Sequence, residues 1–382
     1  MLKYRYSIPA FLLAVFLSLP STTSSAAGEP AATASPPLSD LLLDLAPENE
    51  ITGGPVRRVE IRDSRAWELK RESILRRAGL LLGRAPACEG PLDVHLGPAV
   101  RREGFSEYEI DFNSGTGDRI TGYLLCPEGA ATGSPRPAVL ALQTTIEGGA
   151  AVTAGRLRAR ENRYYGEELA RRGYVVLAPD VITSGKRVSP GLGEFETGAF
   201  DRKHPDWSAM GKMLSDHRRC VDCLVSLAYV DSSRIGVIGH SLGGYNAFFV
   251  QGFDSRIKAG VSSCGFVTIG GSDYPFRFAR DRWFVHFPLL RDFVRAGAVP
   301  VDMHEVLAMC APRPFFNYSA RQDHIFPDFQ AIEGPLAQVA ALYGVLGAPG
   351  NFVCEYGDGD HDFPPAVRER AFRFLDRWLG IE

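Results

Sequence analysis

A glycine-flanked serine is the residue of this chain best placed to do chemistry. The pattern G-H-S-L-G spans residues 239–243, between an apolar run at 235–238 and an apolar stretch that starts at Tyr245. The run predicts a buried strand and the stretch predicts a helix. A serine on a tight strand-to-helix turn needs glycine neighbours, because flanking Cβ atoms would clash. The turn also directs the first amides of the helix, with their partial positive charge, at the hydroxyl. The pattern therefore predicts that Ser241 is a nucleophile.

Histidine is the usual base for such a serine, whose hydroxyl is a weak nucleophile until its proton is removed. Four histidines follow Ser241 in the chain: His286, His304, His324 and His361. His361 is the favoured base, because it stands in a turn-rich loop between a predicted strand and the last predicted helix. His304 falls in a helical pattern. His240 is set aside, since consecutive side chains on a tight turn point apart.

The base needs a third group that holds its tautomer, and Asp323 is the favoured acid. It follows a predicted strand, at the carboxyl end where open α/β sheets place their chemistry. Asp302 is better explained as a helix N-cap. Asp358 and Asp360 stand too near His361 in sequence to reach its far nitrogen easily.

The negative charge that develops on a substrate oxygen requires two backbone amides. The amide of Leu242, just after the nucleophile, is one candidate. The second should come from the loop after the predicted strand at 137–142. Within that loop Thr145 is favoured, and Thr144 is the next choice.

Strands and helices alternate along the chain, which predicts an α/β fold with a mostly parallel sheet and helices on both faces. The first strands, at 105–112 and 118–126, are expected to form an antiparallel hairpin. The predicted strands that follow are 137–142, 174–180, 235–238, 257–262, 314–319 and 351–356, and the predicted helices are 161–172, 207–229 and 365–379.

The domain organisation follows from these elements and from the N-terminal composition. Lys3 and Arg5 precede an apolar run at residues 8–19, and small residues follow up to Ala27. That pattern is typical of a signal peptide over 1–27, although an uncleaved anchor is the alternative. Either way the chain is expected to be exported, into the medium or a periplasm. Beyond it we expect a flexible tether (28–63), an N-terminal helical extension (64–104) and a catalytic domain (105–382).

A long stretch at 265–300 lacks clear periodicity and mixes aromatic residues with arginines. It stands between two sheet strands, so a lid over the active edge is one interpretation. A packed pair of helices is the other. The formal net charge of −3 argues against nucleic acid as a partner. No further apolar segment is long enough to cross a membrane once the leader is removed.

Seven cysteines are present, and their pairing cannot be deduced from spacing. Cys220 and Cys223 form a C-x-x-C pattern inside a predicted helix. No second cysteine pair or histidine pair completes a zinc site, so both are expected to be core residues. We therefore expect no metal and no cofactor.

Taken together, these segments resemble the α/β-hydrolases, and among them the secreted dienelactone-hydrolase-like and acetyl-xylan-esterase-like branch. The segments that carry the resemblance are 173–180, 207–216, 230–244, 311–314, 323–327 and 361–364. The resemblance implies an α/β-hydrolase fold and a triad of Ser241, Asp323 and His361. It also implies a serine carboxylic-ester hydrolase whose substrate is a small-molecule or carbohydrate ester, and an acetyl ester of a carbohydrate is one analogy.

Two departures from the family pattern bear on this expectation. Relatives often carry histidine or His-Gly after the third strand, where this chain has Gln143 and Thr144. The nucleophile is serine and not the cysteine of true dienelactone hydrolases, which favours ester cleavage over lactone chemistry. An oligopeptidase-like serine peptidase and a catalytically silent hydrolase-fold binding protein are the alternative functions.

Overall fold

The computed structural model describes residues 36–47, 56–130, 132–281 and 283–381. The predicted signal peptide (1–27) and the first part of the predicted tether lie outside the described residues. None of the helices in the described part of the chain combines the length and the apolar character that a bilayer crossing requires.

The strands and helices are named here in chain order. The strands are β1 (Leu43–Pro47), β2 (Val56–Glu60), β3 (His95–Leu96), β4 (Val100–Arg102), β5 (Phe105–Asn113), β6 (Arg119–Pro127), β7 (Arg136–Leu142), β8 (Val175–Pro179), β9 (Val230–His240), β10 (Ile257–Ser263), β11 (Phe315–Ala320) and β12 (Phe352–Gly357). The helices are α1 (Ser64–Leu82), α2 (Ala150–Thr153), α3 (Tyr165–Arg171), α4 (Gly198–Lys203), α5 (Ala209–Ser226), α6 (Leu242–Phe253), α7 (Leu290–Arg295), α8 (Met303–Ala308), α9 (Phe329–Val345) and α10 (Pro365–Leu379).

One ten-stranded sheet forms the centre of the molecule, in the order β12-β11-β10-β9-β7-β8-β6-β5-β3, with β4 also paired to β5. Strands β7 to β12 run parallel to one another. Strands β5 and β6 form an antiparallel hairpin, and β6 joins the parallel part by an antiparallel pairing with β8. The predicted hairpin and the predicted mostly parallel sheet are both confirmed.

Two hydrophobic layers cover the two faces of the sheet. In β7, Leu140 faces the larger layer, whereas its neighbours Val139 and Ala141 face the smaller one. Helices α1, α5, α6, α8 and α9 contribute to the larger layer, and α3 and α10 contribute to the smaller one. A strand buried on both faces is expected to be apolar throughout, which explains why β7, β8 and the end of β9 are so evident in the sequence.

The N-terminal boundaries differ from the prediction. The segment predicted as a tether contains β1 and β2, which pair antiparallel with Leu43 opposite Glu60. The predicted helical extension (64–104) is helical only over α1, and β3 and β4 then pair with β5. The sheet therefore begins before residue 105. These strands escape a pattern search because β3 and β4 are short and largely exposed.

The insertion at 265–300 follows the carboxyl end of β10 and is not a pair of packed helices. Within its described residues, α7 is the single regular helix. The rest is irregular chain around a buried aromatic group of Phe278, Phe284 and Phe287. Helix α9 is a second difference, because the sequence analysis assigns no helix there. It carries Pro335 in its interior, a residue that ordinarily disfavours a helix.

Candidate active site

Ser241 occupies the sharp turn between β9 and α6. Its backbone angles are φ 55° and ψ −116°, a region that residues with a Cβ rarely adopt. A Cβ atom at Gly239 would clash with the backbone of Gly243, and one at Gly243 would clash with the carbonyl of Leu142. Both glycines are therefore required by the close approach of the turn to itself and to the end of β7. The strained conformation at a sheet edge is typical of a functional residue.

The backbone of Ser241 is held from both sides. Its N–H donates to the carbonyl of Ser263, at 2.8 Å, and its carbonyl accepts from the N–H of Tyr245, at 3.1 Å. The residue is 7% exposed. These bonds fix the serine to the end of β10 and to the first turn of α6, so its position does not depend on a flexible loop.

His361 and Asp323 form a buried pair at the ends of β12 and β11. The His361 Nδ1 atom lies 2.7 Å from Asp323 Oδ2, and each residue is 5% exposed. The other carboxylate oxygen of Asp323 accepts from the N–H groups of Ile325 and Phe326, at 2.9 and 2.8 Å. Because the carboxylate faces Nδ1, the proton of the neutral imidazole resides there and Nε2 is left as the basic atom.

The loop that carries His361 is anchored by Arg163, which is 1% exposed. One guanidinium nitrogen lies 2.6 Å from Asp362 Oδ1, and another donates to the His361 carbonyl at 3.2 Å. Asn162 donates to the second oxygen of Asp362, at 2.7 Å. Burial acts to raise the pKa of Asp362, but the bonds from Arg163 and Asn162 hold it below its ordinary value. The loop is therefore fixed by an ionised carboxylate.

Asp360 connects the two loops that carry the pair. One of its oxygens accepts from the N–H of His361, at 2.6 Å, and also from the ring of His324, at 2.6 Å. The hydrogen bonds from His324 and His361 hold the pKa of Asp360 well below its ordinary value. Through these bonds Asp360 joins the two loops.

His240 supports the imidazole of His361 from inside the core. It is fully buried, and its ring centre lies 4.8 Å from that of His361. Its Nδ1 lies 3.1 Å from Ser263 Oγ. Burial lowers the pKa of His240 far below the ordinary range, so the ring is neutral. Since His240 directly precedes Ser241, this contact brings His361 to the nucleophile turn.

The loop after β7 passes beside the first turn of α6. A Cβ atom at Gly243 would meet the carbonyls of Leu142 and Gln143, which shows how close the two backbones lie. Gln143 turns its side chain away, donating to Ser184 Oγ at 2.9 Å. In the described part of the chain the N–H groups of Thr144 and Thr145 have no acceptor. Both therefore remain candidates, with the Leu242 amide, for binding an oxyanion.

A cysteine stands against the buried pair. The ligand atoms of Cys264, Asp323 and His361 lie within 4.8 Å of one another. Burial raises the pKa of the Cys264 thiol to about 12, and the thiol donates to the Asp362 carbonyl at 3.3 Å. A protonated thiol is a poor metal ligand, and the aspartate and the imidazole are already paired. We therefore assign no metal centre to this group.

The remaining cysteines do not form a second site. All seven lie within the described residues and carry free thiols. Cys220 and Cys223 are fully buried in α5, which confirms that they are core residues.

Comparison with known proteins extends these observations. Residues 165–284 match the model of the prolyl oligopeptidase family. The chain is 27% identical over 216 residues to "Putative hydrolase YtaP" of Bacillus subtilis (strain 168), covering 56% of this chain and 68% of that protein. It is also 27% identical over 135 residues to carbohydrate esterase MZ0003 from an unknown prokaryotic organism, covering 32% of this chain and 29% of that protein.

Among solved structures, the glucuronoyl esterase from Solibacter usitatus is similar over nearly its whole length. The TM-score is 0.65 at 21% sequence identity, and the match covers 91% of this chain and 98% of that one. At this level of identity the likeness concerns the fold. With the strand order and the serine turn described above, it confirms the predicted fold class, an α/β-hydrolase fold.

Proposed function

We propose that this chain is a serine esterase that cleaves carboxylic esters through an acyl-enzyme intermediate. The observation that carries the proposal is the buried His361–Asp323 pair, which packs against the strained turn of Ser241 at one edge of the sheet. Serine, histidine and aspartate in this arrangement supply a nucleophile, a base and the group that orients the base.

The first half of the reaction forms the acyl-enzyme. The Ser241 oxygen attacks the ester carbonyl while His361 Nε2 takes the hydroxyl proton. The amides of Leu242 and of Thr145 or Thr144 hold the developing oxyanion. The bond from the carbonyl carbon to the alcohol oxygen then breaks, and His361 returns the proton to the leaving alcohol. In the second half a water molecule replaces the alcohol, and the acid and the free serine are released.

The relatives support a carbohydrate ester as the substrate. Two of the similar proteins are named as esterases of carbohydrate or of glucuronoyl groups. An acetylated carbohydrate is one member of this class, and the acyl group remains to be measured. Export follows from the leader pattern at residues 1–27, and N-terminal sequencing of the secreted protein should find a start near Gly28.

Hydrolysis of p-nitrophenyl acetate, butyrate and octanoate tests the proposal. Wild type should turn over the shortest esters, and Ser241→Ala and His361→Ala should each lose nearly all of that activity. The chain-length profile would measure the size of the acyl pocket. Folded wild type that hydrolyses none of the three would contradict a general esterase.

Peptidase activity is the second candidate, favoured by the match of residues 165–284 to the prolyl oligopeptidase family. The described residues between 36 and 104 form one long helix and four short strands. Glycyl-prolyl p-nitroanilide distinguishes the two functions. We expect ester cleavage with little or no release of nitroaniline. Release of nitroaniline that is faster than ester cleavage would make the chain a peptidase.

A further inference from the structure

Two arginines of the insertion each lie on an aromatic ring at the candidate active site. The guanidinium of Arg277 lies over the ring of Tyr274, at 5.2 Å, and over the ring of Phe326, at 5.0 Å. The Phe326 ring meets the ring of His361 edge-on, with 5.4 Å between the ring centres. Arg277 is therefore separated from the proposed base by a single side chain.

The second arginine, Arg280, lies close enough to Arg277 for its charge to lower the pKa of Arg277. The guanidinium of Arg280 lies 5.6 Å from the ring centre of Trp283. The Trp283 indole N–H donates to the Glu194 carbonyl at 3.0 Å, and the Glu194 carboxylate accepts from the N–H of Gly148 at 2.9 Å. Gly148 belongs to the loop after β7, so the aromatic partner of Arg280 is connected through Glu194 to the loop that carries two of the candidate oxyanion amides.

Neither arginine is neutralised by the protein. In the described residues no carboxylate comes within ion-pair distance of Arg277 or Arg280, and the Nε of Arg277 is buried without an acceptor. Two further arginines of the same stretch differ, because Arg291 pairs with Asp281 and Arg295 pairs with Asp292. Two partly exposed guanidinium groups without a carboxylate partner are available to bind the negative charge of a ligand.

The two carboxylates whose charges act on Arg277 are each hydrogen-bonded to another side chain. Asp323 is bonded to His361, and Asp328 accepts from Ser272 Oγ at 2.6 Å. Burial, followed by the neighbouring charge of Arg280, lowers the pKa of Arg277, as expected for a cation with too little local negative charge. The group still stays protonated at neutral pH, since free arginine ionises far above it.

The aromatic partners of the two arginines remain open to a ligand. Tyr274 is 44% exposed and Trp283 is 42% exposed, although large aromatic side chains are usually buried in the protein for the most part. An exposed aromatic face next to a free guanidinium fork suits a ring that bears a carboxylate, because the ring packs on the aromatic side chain and the fork binds both oxygens.

We propose that the preferred substrate is an anionic ester, in which a free carboxylate near the scissile bond is bound by Arg277 and Arg280. This inference rests on the esterase function proposed above and narrows its substrate class. It predicts selectivity for the charge of the substrate and assigns that selectivity to the insertion at 265–300 and not to the triad.

Two matched ester pairs at about pH 7.5 test the inference, each comparing a carboxylate with its neutral carboxamide. The carboxylate of 4-acetoxybenzoate, compared with 4-acetoxybenzamide, lies on the alcohol side of the ester. The second pair is monomethyl terephthalate and methyl 4-carbamoylbenzoate. In monomethyl terephthalate the free carboxylate lies on the acyl side of the ester. After correction for uncatalysed hydrolysis, one anionic member should have a kcat/KM at least about tenfold above its neutral partner, chiefly through KM. The preference should shrink in about 0.5 M NaCl, since salt screens exposed charges.

The variants assign the effect to the two arginines. Arg277→Gln with Arg280→Gln should abolish the preference, so that the ratio of kcat/KM between the anionic and the neutral member of a pair falls to about one. Arg295→Gln, on the same stretch but paired with Asp292, should behave as wild type. Inhibition of wild type by benzoate but not by benzamide is a second readout that requires no variant. Equal rates for both members of each pair would overturn the inference and leave the esterase standing. Failure to hydrolyse any ester would overturn the esterase itself.

Discussion

The imidazole of His361 is held by one charged partner, and its chemistry depends on that partner. Asp323 is bonded to the Nδ1 atom of the ring, which leaves Nε2 for the role of base that we propose. An asparagine at position 323 keeps the shape but can present its amide N–H to Nδ1, which favours the wrong tautomer. The carboxylate is therefore expected to matter more for turnover than for folding.

Asp323→Asn should lower kcat roughly 10³–10⁴-fold, as in other triads, with little change in KM. Steady-state kinetics on p-nitrophenyl acetate measures this, and circular dichroism checks the fold. Asp358→Asn is the matched control, because that carboxylate is 89% exposed and forms a surface ion pair with Arg321, at 3.5 Å, and not with His361. A variant Asp323→Asn with near wild-type kcat would exclude this residue as the acid.

Arg163 acts on His361 through the loop and not through the reaction itself. Replacing it by methionine removes the bonds to Asp362 and to the His361 carbonyl and leaves a half-buried carboxylate short of donors. We expect Arg163→Met to lower the free energy of unfolding by roughly 2–3 kcal/mol, less than a fully buried pair would lose. It should also reduce kcat, since the imidazole is less well placed.

Urea unfolding and esterase assays measure both effects of Arg163→Met. Arg373→Met is the control, because Arg373 forms an exposed pair with Glu369 whose loss should cost less than about 1 kcal/mol. If Arg163→Met is destabilised but keeps its kcat, Arg163 stabilises the fold without positioning His361.

At the scale of elements, the turn between β9 and α6 depends on close backbone approach. Gly243→Ala places a Cβ against the Leu142 carbonyl, a rigid backbone group that cannot move aside cheaply. Loss of soluble protein, or a fall in the free energy of unfolding of at least about 3 kcal/mol, is expected.

Gly79→Ala is the matched glycine replacement. Gly79 lies inside α1 with open space where a Cβ would be, so alanine should stabilise the protein by about 0.5–1 kcal/mol. Thermal unfolding of both variants tests the pair. A stable, active Gly243→Ala protein would mean that the turn is looser than described.

The sequence alone predicts the elements whose pattern is local. Helix α10 is predicted at its observed bounds, and the continuous apolar runs of β7 and β8 identify buried strands. The edge strands β3 and β4 are not predictable in this way, because their order comes from pairing with β5 and not from their own residues.

The same contrast applies to the candidate site. Ser241 is evident from its glycines, and His361 and Asp323 from their places after predicted strands. The roles of Arg163 and His240 are not evident, because each depends on a contact made across the fold. Arg163 and its partner Asp362 are 199 positions apart in the chain. No local signal identifies such a pair without related sequences.

At the scale of the whole molecule, buried neutral histidines link stability to pH. Burial lowers the pKa of His217 and of His286 to about 3, and it also lowers the pKa of His240 well below the ordinary value. An unfolded histidine titrates near pH 6.5, so below that pH the unfolded state binds protons that the folded state does not. Stability is therefore complete above about pH 6.5 and is lost as the pH falls toward 3.

Each of these histidines should lower the free energy of unfolding by about 2 kcal/mol at pH 5 relative to pH 7.5. Asp201 offsets part of the loss, because burial raises its pKa to about 6 and the folded state gains a proton there. Urea unfolding at the two pH values measures the difference. Repeating it at high salt controls for surface charges, and equal stability at both pH values would show that the histidines are not buried as described.

The fold places the ends of β9, β11 and β12 at one edge of the sheet. We propose that Ser241 at this edge is an activated nucleophile. Labelling with a fluorophosphonate, followed by peptide mass spectrometry, tests this claim most directly. One phosphonyl group per chain on Ser241 is predicted, with the labelling rate greatly reduced in His361→Ala. Folded protein that takes no label, or that is labelled at another residue, would contradict the account.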